Sequence, residues 1–193
     1  MDTVQAEILV EITSFLERHR ISYMITGSLS VIYYGRPRAS HDIDIVIELR
    51  NEDIEKLLLA VKTLSSAFLI QPAAIDEAMQ HKTVFGIIYR PTLLKVDIWM
   101  LTSSPFDTSR FLRKEKKRIL GKTMWMASAE DAILQKLRWY KKADIEKHLV
   151  DAAFVYQIQK KELDMKYINS WAKKLRVETN LKKLDSIDLE LYF

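Results

Sequence analysis

One short stretch of the chain restricts both its local structure and its chemistry. In "HDIDIVIEL", residues 41–49, isoleucines alternate with Asp42 and Asp44. Successive side chains of a β-strand point to opposite faces, so this period of two predicts a strand with one apolar face and two adjacent carboxylates on the other. Like charges repel unless water or a cation relieves them. The two aspartates therefore line either an ordinary solvated strand edge or a cation site.

A Gly-Ser pair lies just before this strand in the sequence. "ISYMIT", residues 21–26, predicts a short strand, and a helix is expected from Ser28 to Tyr34 after the turn at Gly27. The N-terminus of a helix offers free N–H groups, glycine lets a ligand approach the backbone, and the serine hydroxyl adds a donor. The pair is thus a candidate phosphate site, although a serine there is also an ordinary helix cap.

A third aspartate lies in an even more apolar setting. Asp97 belongs to "LLKVDIWML", residues 93–101, where the alternate positions are hydrophobic and predict a buried opposite face. An aspartate in such a strand requires a partner. Three carboxylates that hold two Mg²⁺ ions beside a phosphate site suit attack of a hydroxyl on the α-phosphate of a nucleoside triphosphate, with pyrophosphate leaving.

Hydrophobic periodicity predicts an α+β protein that divides near residue 125. Residues 1–125 mix helical and strand patterns, and residues 126–193 carry helical patterns. Four helices are predicted to begin at caps, namely Asp2 or Thr3, Ser28, Asn51 and Asp164, and a fifth begins at the Ser128–Asp131 capping box. Two further helices are predicted over 106–119 and 144–159. The predicted strands are 21–26, 41–49, 66–70, 82–89 and 93–101, with a small hairpin that turns at Gly121–Lys122.

Composition excludes several classes of protein. The 193 residues are 48% hydrophobic and 29% charged, which is typical of a globular chain, and no apolar run approaches the length of a membrane span. Without cysteine the chain has no disulfide and no thiolate metal site, and we expect a soluble, cytoplasmic protein. The four glycines form neither a P-loop nor a dinucleotide-binding motif. A net charge of +4 is compatible with a phosphate-bearing partner.

The order of these motifs resembles the nucleotidyltransferase superfamily, whose fold is shared with DNA polymerase β. The resemblance rests on "GSLSVIYYGRPRASHDIDIVIE", residues 27–48, followed by the aspartate of "KVDIWML". The later segments "WMASAEDAILQKLRWY" and "DAAFVYQIQKKELDMKYINSWAKKL" are similar to an uncharacterised prokaryotic branch related to the AbiEii-type enzymes of toxin–antitoxin systems. Nearly the whole chain is covered.

The resemblance implies a mixed sheet flanked by helices, with residues 1–125 as the nucleotidyltransferase core and 126–193 as the helical region. It implies an Mg²⁺-dependent enzyme that moves an NMP from an NTP to a hydroxyl of RNA, such as tRNA, or of a protein, with a cognate toxin or antitoxin as partner. The catalytic and metal-binding residues would be Asp42, Asp44 and Asp97, and the triphosphate would be held by Gly27, Ser28, Arg38 and Lys136.

Several of the charged residues have two possible interpretations. Lys136 is either the triphosphate lysine of the family's third motif or a solvated helix residue. Asp151 occupies the aspartate position of that motif but follows Val150 where the family has arginine, so it is also a candidate for a structural pair. The basic run within 110–118 suits a nucleic-acid backbone or a solvated helix face. Trp99, on the Asp97 side of its strand, is a candidate neighbour of the substrate.

A rival hypothesis for the whole chain is a non-catalytic module of the same fold that binds nucleotide or acts as an antitoxin-like partner. Such a module has no need of three carboxylates in one place. The enzyme hypothesis is therefore the leading one.

Overall fold

The computed structural model describes residues 3–49, 53–61 and 63–192. The chain forms two compact units. The first unit contains the residues up to Ser28 and Ala39–Met126, and the second contains Leu29–Arg38 and the residues from Ala127 onward. Within the described ranges, no helix is both long and apolar enough to cross a bilayer.

The first unit is built on a mixed β-sheet. Its strands in the described ranges are β1 (Ser22–Thr26), β2 (Asp42–Glu48), β3 (Phe68–Ile70), β4 (Val84–Tyr89), β5 (Leu94–Met100), β6 (Glu115–Ile119) and β7 (Lys122–Met126). They are arranged in the order β3-β4-β5-β2-β1-β7-β6. The pairs β2/β5 and β1/β7 are parallel and the others are antiparallel.

The remaining regular elements of the described chain are helices, which occur between the strands and throughout the residues after β7. In the first half they are α1 (Thr3–Arg18), α2 (Gly27–Tyr34), α3 (Ile54–Val61), α4 (Pro72–His81) and α5 (Pro105–Leu112). The second half contains α6 (Ala129–Ala143), α7 (Glu146–Gln159), α8 (Met165–Leu175), α9 (Glu178–Lys183) and a 3₁₀ turn (Leu189–Tyr192). The predicted fold class, a mixed sheet with flanking helices and a C-terminal helical region, is confirmed.

The alternation in β2 is confirmed in the core of the first unit. The side chains of Ile43, Ile45 and Ile47 are fully buried, each at 0% exposure. On neighbouring β5 the alternate residues Val96 and Ile98 are equally buried. Burial of these branched side chains, at about 1.5–3 kcal/mol each, fixes which face of each strand points inward. The aspartates of both strands must therefore lie on the other face.

Polar contacts fix the start of α6 in the second unit. Ser128 Oγ accepts a hydrogen bond from the Asp131 N–H at 3.2 Å and donates to Asp131 Oδ2 at 3.0 Å. Tyr167 of α8 donates its hydroxyl to Asp131 Oδ1 at 2.7 Å. The predicted capping box thus also ties α6 to α8. Asp164 caps α8 as predicted, because its side chain accepts from the Tyr167 N–H.

The prediction of one basic helix over 106–119 is wrong. The helix α5 ends at Leu112, and Glu115–Ile119 is strand β6, paired with β7. Lys116 and Arg118 are exposed, and Lys117 between them is partly covered. Exposure thus alternates along the strand, but because these residues are all charged, the alternation does not appear in the hydrophobicity pattern. The two-residue turn is Leu120–Gly121, one residue earlier than predicted, with φ of 52° and 78° at the two positions.

Helix α4 was not predicted. Its signals are Pro72 in the first turn and the spacing of Ile75, Ala78 and Met79, which are buried. The predicted caps Asp2 and Asn51 lie outside the described residues.

The buried face of β2 should contribute strongly to stability. We expect Ile45→Ala to lower the free energy of unfolding by about 2–5 kcal/mol, because it leaves a cavity in a core without solvent access. Urea denaturation measures this change. Leu112→Ala removes the same class of side chain at a position that is 78% exposed, and should change stability by less than about 0.5 kcal/mol. Equal losses in the two variants would contradict the assignment of the core.

Candidate functional site

The sheet brings two of the predicted aspartates together. In the parallel pair β2/β5, Asp44 lies directly opposite Asp97, and on the other side of β2 Asp44 lies opposite Thr26, the last residue of β1. Residues opposite each other on paired strands have side chains on the same face. Asp44 and Asp97, which are 53 positions apart in the sequence, are therefore neighbours on one face of the first unit.

Asp42 lies on the same face, two residues before Asp44. It is the first residue of β2, its side chain is exposed, and its partner across the ladder is Lys95. Asp44 and Asp97 are both partly buried. The structure thus places all three predicted carboxylates on one sheet face and adds a lysine that the sequence analysis did not identify.

Asp44 is held by contacts on two sides. The indole Nε1 of Trp99 donates a hydrogen bond to Asp44 Oδ1 at 3.1 Å. On the other side, Gly27 has φ of +65°, and a Cβ at that position would overlap the Asp44 carboxylate. Glycine is therefore required at position 27 both for its backbone conformation and for the close approach of Asp44. Gly27 of the predicted Gly-Ser turn therefore lies against the predicted carboxylate of Asp44.

Asp97 has a different partner. The ammonium of Lys95 lies 2.8 Å from Asp97 Oδ1. This close contact with Asp97, helped by the charges of Asp42 and Asp44 and opposed by partial burial, raises the pKa of Lys95. The lysine is therefore a stable cation on this face at neutral pH.

The residues suit Mg²⁺ by donor type, since hard divalent cations prefer carboxylate oxygens. Asp44 and Asp97 supply such oxygens from adjacent positions, and Asp42 supplies more from the same face. In the part of the chain that the structure describes, no three acidic or histidine side chains converge closely enough to form a ready cluster. Asp44 and Asp97 are instead directed toward Trp99 and Lys95.

The two predicted triphosphate cations meet in the second unit. Arg38 makes a bidentate contact with Asp151, from Nε to Oδ1 at 3.0 Å and from Nη2 to Oδ2 at 2.8 Å. Lys136 Nζ lies 2.8 Å from the same Oδ2. The three side chains are 12%, 8% and 3% exposed for Arg38, Lys136 and Asp151. Lys136 is therefore not a solvated helix lysine, and Asp151 is the partner that both cations share.

The electrostatics of this cluster favour an ionised Asp151. Burial alone would raise the pKa of Asp151, but the hydrogen bonds from Arg38 and the charge of Lys136 outweigh it and lower that pKa. Burial and the neighbouring Lys136 lower the pKa of His148, so this imidazole is neutral at pH 7. Arg38 and Lys136 thus share the carboxylate of Asp151.

Other predicted candidates have structural partners. Arg110, within the basic run, is 8% exposed and donates to Asp107 at 2.9 Å and to Thr26 at 3.4 Å. Arg110 therefore pairs inside the first unit, beside the end of β1. Sequence reasoning missed Lys95, whose only signal is its position two residues before Asp97 on an alternating strand.

The chain is similar to one protein-family model and to several proteins of known structure. The model of the aminoglycoside-2''-adenylyltransferase family matches residues 8–83, less than half of the chain. The crystal structure of ANT(2")-Ia in complex with adenylyl-2"-tobramycin aligns with a TM-score of 0.62 at 13% identity, over 90% of this chain and 98% of that one. The chain has the nucleotidyltransferase fold. A comparison with curated protein sequences gives no match.

Two further solved structures have a similar fold. An antigenic nucleotidyltransferase-like protein from Paracoccidioides brasiliensis has a TM-score of 0.59 at 15% identity, over 95% of this chain and 93% of that one. The lincosamide antibiotic adenylyltransferase LnuA, bound to lincomycin, has a TM-score of 0.52 at 12% identity, over 79% and 96%. Together with the family model, these folds support a nucleotidyltransferase enzyme.

The shared carboxylate should make the stability of the protein depend on pH. We expect Asp151→Asn to lower the free energy of unfolding by about 3 kcal/mol at pH 7, because Lys136 and Arg38 lose a counter-charge that they share. The pKa of Asp151 is lowered from its ordinary value of 3.8, so its contribution is complete above that value and is lost as the pH falls through the folded-state pKa.

Urea denaturation of wild type and variant at pH 7 and at about pH 3 tests this expectation, and the difference between the two proteins should shrink at the lower pH. Asp185→Asn is the matched control, because Asp185 pairs with Lys160 on the surface. A pH-independent difference for Asp151→Asn would contradict the ionic interpretation.

Proposed function

We propose that this protein is an Mg²⁺-dependent nucleotidyltransferase that transfers an NMP from an NTP to an acceptor hydroxyl and releases pyrophosphate. The observation that carries the proposal is the β2/β5 register, which sets Asp44 opposite Asp97, with Asp42 on the same face and the Gly27–Ser28 turn against Asp44. Three carboxylates beside a helix N-terminus combine a cation site with a phosphate site. The family model and the folds of the known structures agree with this chemistry.

Each residue of the first unit has a role in this proposal. Asp42, Asp44 and Asp97 would hold Mg²⁺, which when bound supplies the positive charge that neutralises the phosphates and the developing charge in transfer. Gly27 lets the backbone approach the triphosphate, and Ser28 at the first turn of α2 offers its hydroxyl and N–H. Trp99 fixes the orientation of Asp44 through its indole N–H.

The second unit would contribute affinity for the triphosphate. Arg38 and Lys136 are both held in place by Asp151. Ordered cations bind phosphate with less loss of conformational entropy than free side chains do. We therefore assign Arg38 and Lys136 to binding the NTP and Asp151 to positioning them.

The acceptor has two candidate classes. The match to the aminoglycoside-2''-adenylyltransferase model favours the hydroxyl of a small, cationic, amino-substituted sugar compound. The resemblance of the later segments to the AbiEii-related branch instead favours a hydroxyl of RNA, such as tRNA, or of a protein, within a toxin–antitoxin pair. The alternative of a non-catalytic nucleotide-binding or antitoxin-like module predicts NTP binding without transfer.

The catalytic role of the carboxylates can be tested by isosteric substitution. We expect Asp44→Asn and Asp97→Asn each to reduce NMP transfer on the order of 100-fold or more, because each removes a charge that neutralises Mg²⁺. The measurement is release of pyrophosphate or of labelled product. Asp76→Asn, at an exposed position of α4, makes the same change away from the sheet face and should retain full activity. Full activity of Asp97→Asn would refute the proposed mechanism.

The acceptor is identified by offering each class in turn. Each of the NTPs, labelled on the α-phosphate, is incubated with Mg²⁺ and the protein, together with an aminoglycoside, total cellular RNA or a protein extract. We expect label to enter one acceptor class with wild type and none with Asp44→Asn. Binding of NTP without labelling of any acceptor would favour the non-catalytic module.

A further inference from the structure

A lysine lies inside the carboxylate face of the first unit, where the proposed chemistry requires a metal ion. Lys95 precedes Asp97 by two residues on β5, so both side chains lie on one face, and it is opposite Asp42 in the ladder. Its Nζ is 2.8 Å from Asp97 Oδ1. The lysine side chain is 53% exposed, so water and solutes reach it. Its ammonium is thus in contact with a carboxylate oxygen that Mg²⁺ would need.

The neighbouring strand leaves room for this contact. Gly86 on β4 lies opposite Asp97 in the antiparallel ladder. A Cβ at position 86 would lie 3.3 Å from Lys95 Cε and 3.9 Å from Asp97 Oδ1. Glycine in the interior of a strand weakens it and often marks a place where another group approaches the backbone closely. Here the group that approaches is the end of the Lys95 side chain.

The electrostatic need for a cation on this face is clear. Asp42, Asp44 and Asp97 crowd three negative charges onto adjacent positions of β2 and β5, and this crowding is unfavourable without a counter-charge. Lys95 supplies one positive charge at the carboxylate of Asp97, whose side chain is 16% exposed. Mg²⁺ supplies two, at a shorter distance, and requires the same oxygen atoms.

We propose that Lys95 is a tethered counter-cation that pairs with Asp97 in the metal-free protein and is displaced from Asp97 when Mg²⁺ binds. This inference rests on the proposed function, because it concerns the same carboxylates. The exchange breaks one N–H···O contact and replaces it with a metal–oxygen bond. Lys95 therefore keeps the carboxylates in place before the metal arrives and weakens Mg²⁺ binding by competition.

Isothermal titration calorimetry with MgCl₂ measures the competition without any need for turnover. We expect Lys95→Met to bind Mg²⁺ about fivefold more tightly than wild type, which is the scale of one exposed ion pair. Lys95→Arg keeps the charge and the reach, and should bind Mg²⁺ as wild type does. Lys82→Met, after the C-terminus of α4, loses the same net charge away from the ladder and should leave the affinity unchanged.

Nuclear magnetic resonance tests the displacement itself in the wild-type protein. The Lys95 ¹³Cε signal, assigned by its loss in Lys95→Arg, should shift as MgCl₂ is added and should follow the same saturation curve as the heat of binding. The ¹³Cε signal of Lys82 serves as the internal control and should not follow that curve. The experiment uses the full chain and Mg²⁺ alone, so it depends on neither the NTP nor the acceptor.

The outcomes separate the two proposals. If wild type binds Mg²⁺ but the Lys95 signal does not move, or if Lys95→Met and Lys82→Met bind it equally, the Lys95 inference is wrong and the proposed function stands. If neither wild type nor Lys95→Met binds Mg²⁺, the metal-dependent function fails and the Lys95 inference fails with it. If Lys95→Met misfolds, a Lys95 signal that does not move in wild type still refutes the displacement.

Discussion

The structure of the candidate site depends on the parallel pairing of β2 with β5. This register places Asp44 opposite Asp97, and it is fixed because the isoleucines of β2 and the apolar residues of β5 must face the core. A shift by one residue would bury the aspartates and expose the isoleucines. The hydrophobic face of the sheet therefore determines the arrangement of the charged face, and the site gains its geometry from burial that occurs on the other side of the same strands.

Carboxylates brought together in this way repel one another, and the surrounding residues limit that cost. The Trp99 indole N–H donates a hydrogen bond to one oxygen of Asp44, and the ammonium of Lys95 forms an ion pair with Asp97. Gly27 and Gly86 remove side-chain bulk where Asp44 and Lys95 approach the backbone. These contacts hold Asp44 and Asp97, and they are also the contacts that the proposed Mg²⁺ ion would have to rearrange.

The second unit contains a separate group of charged side chains with little exposure to solvent. Lys136 is buried and Arg38 is largely buried, and both contact the carboxylate of Asp151. Removing Asp151 would take this counter-charge from cations that have little access to solvent, which is costly.

The sequence by itself determined the local features of this protein. Alternation in 41–49 and 93–101 identified the carboxylate strands, and the Ser128–Asp131 spacing identified the start of α6, because such patterns depend on neighbours within a few residues. The hairpin of β6 and β7 was predicted, but the start of β6 was assigned to a basic helix because its charged residues have no hydrophobic period. Only the tertiary structure decided that Lys95 reaches Asp97 and that Arg38 meets Asp151, 113 positions away, because these contacts depend on strand register and helix packing between distant segments.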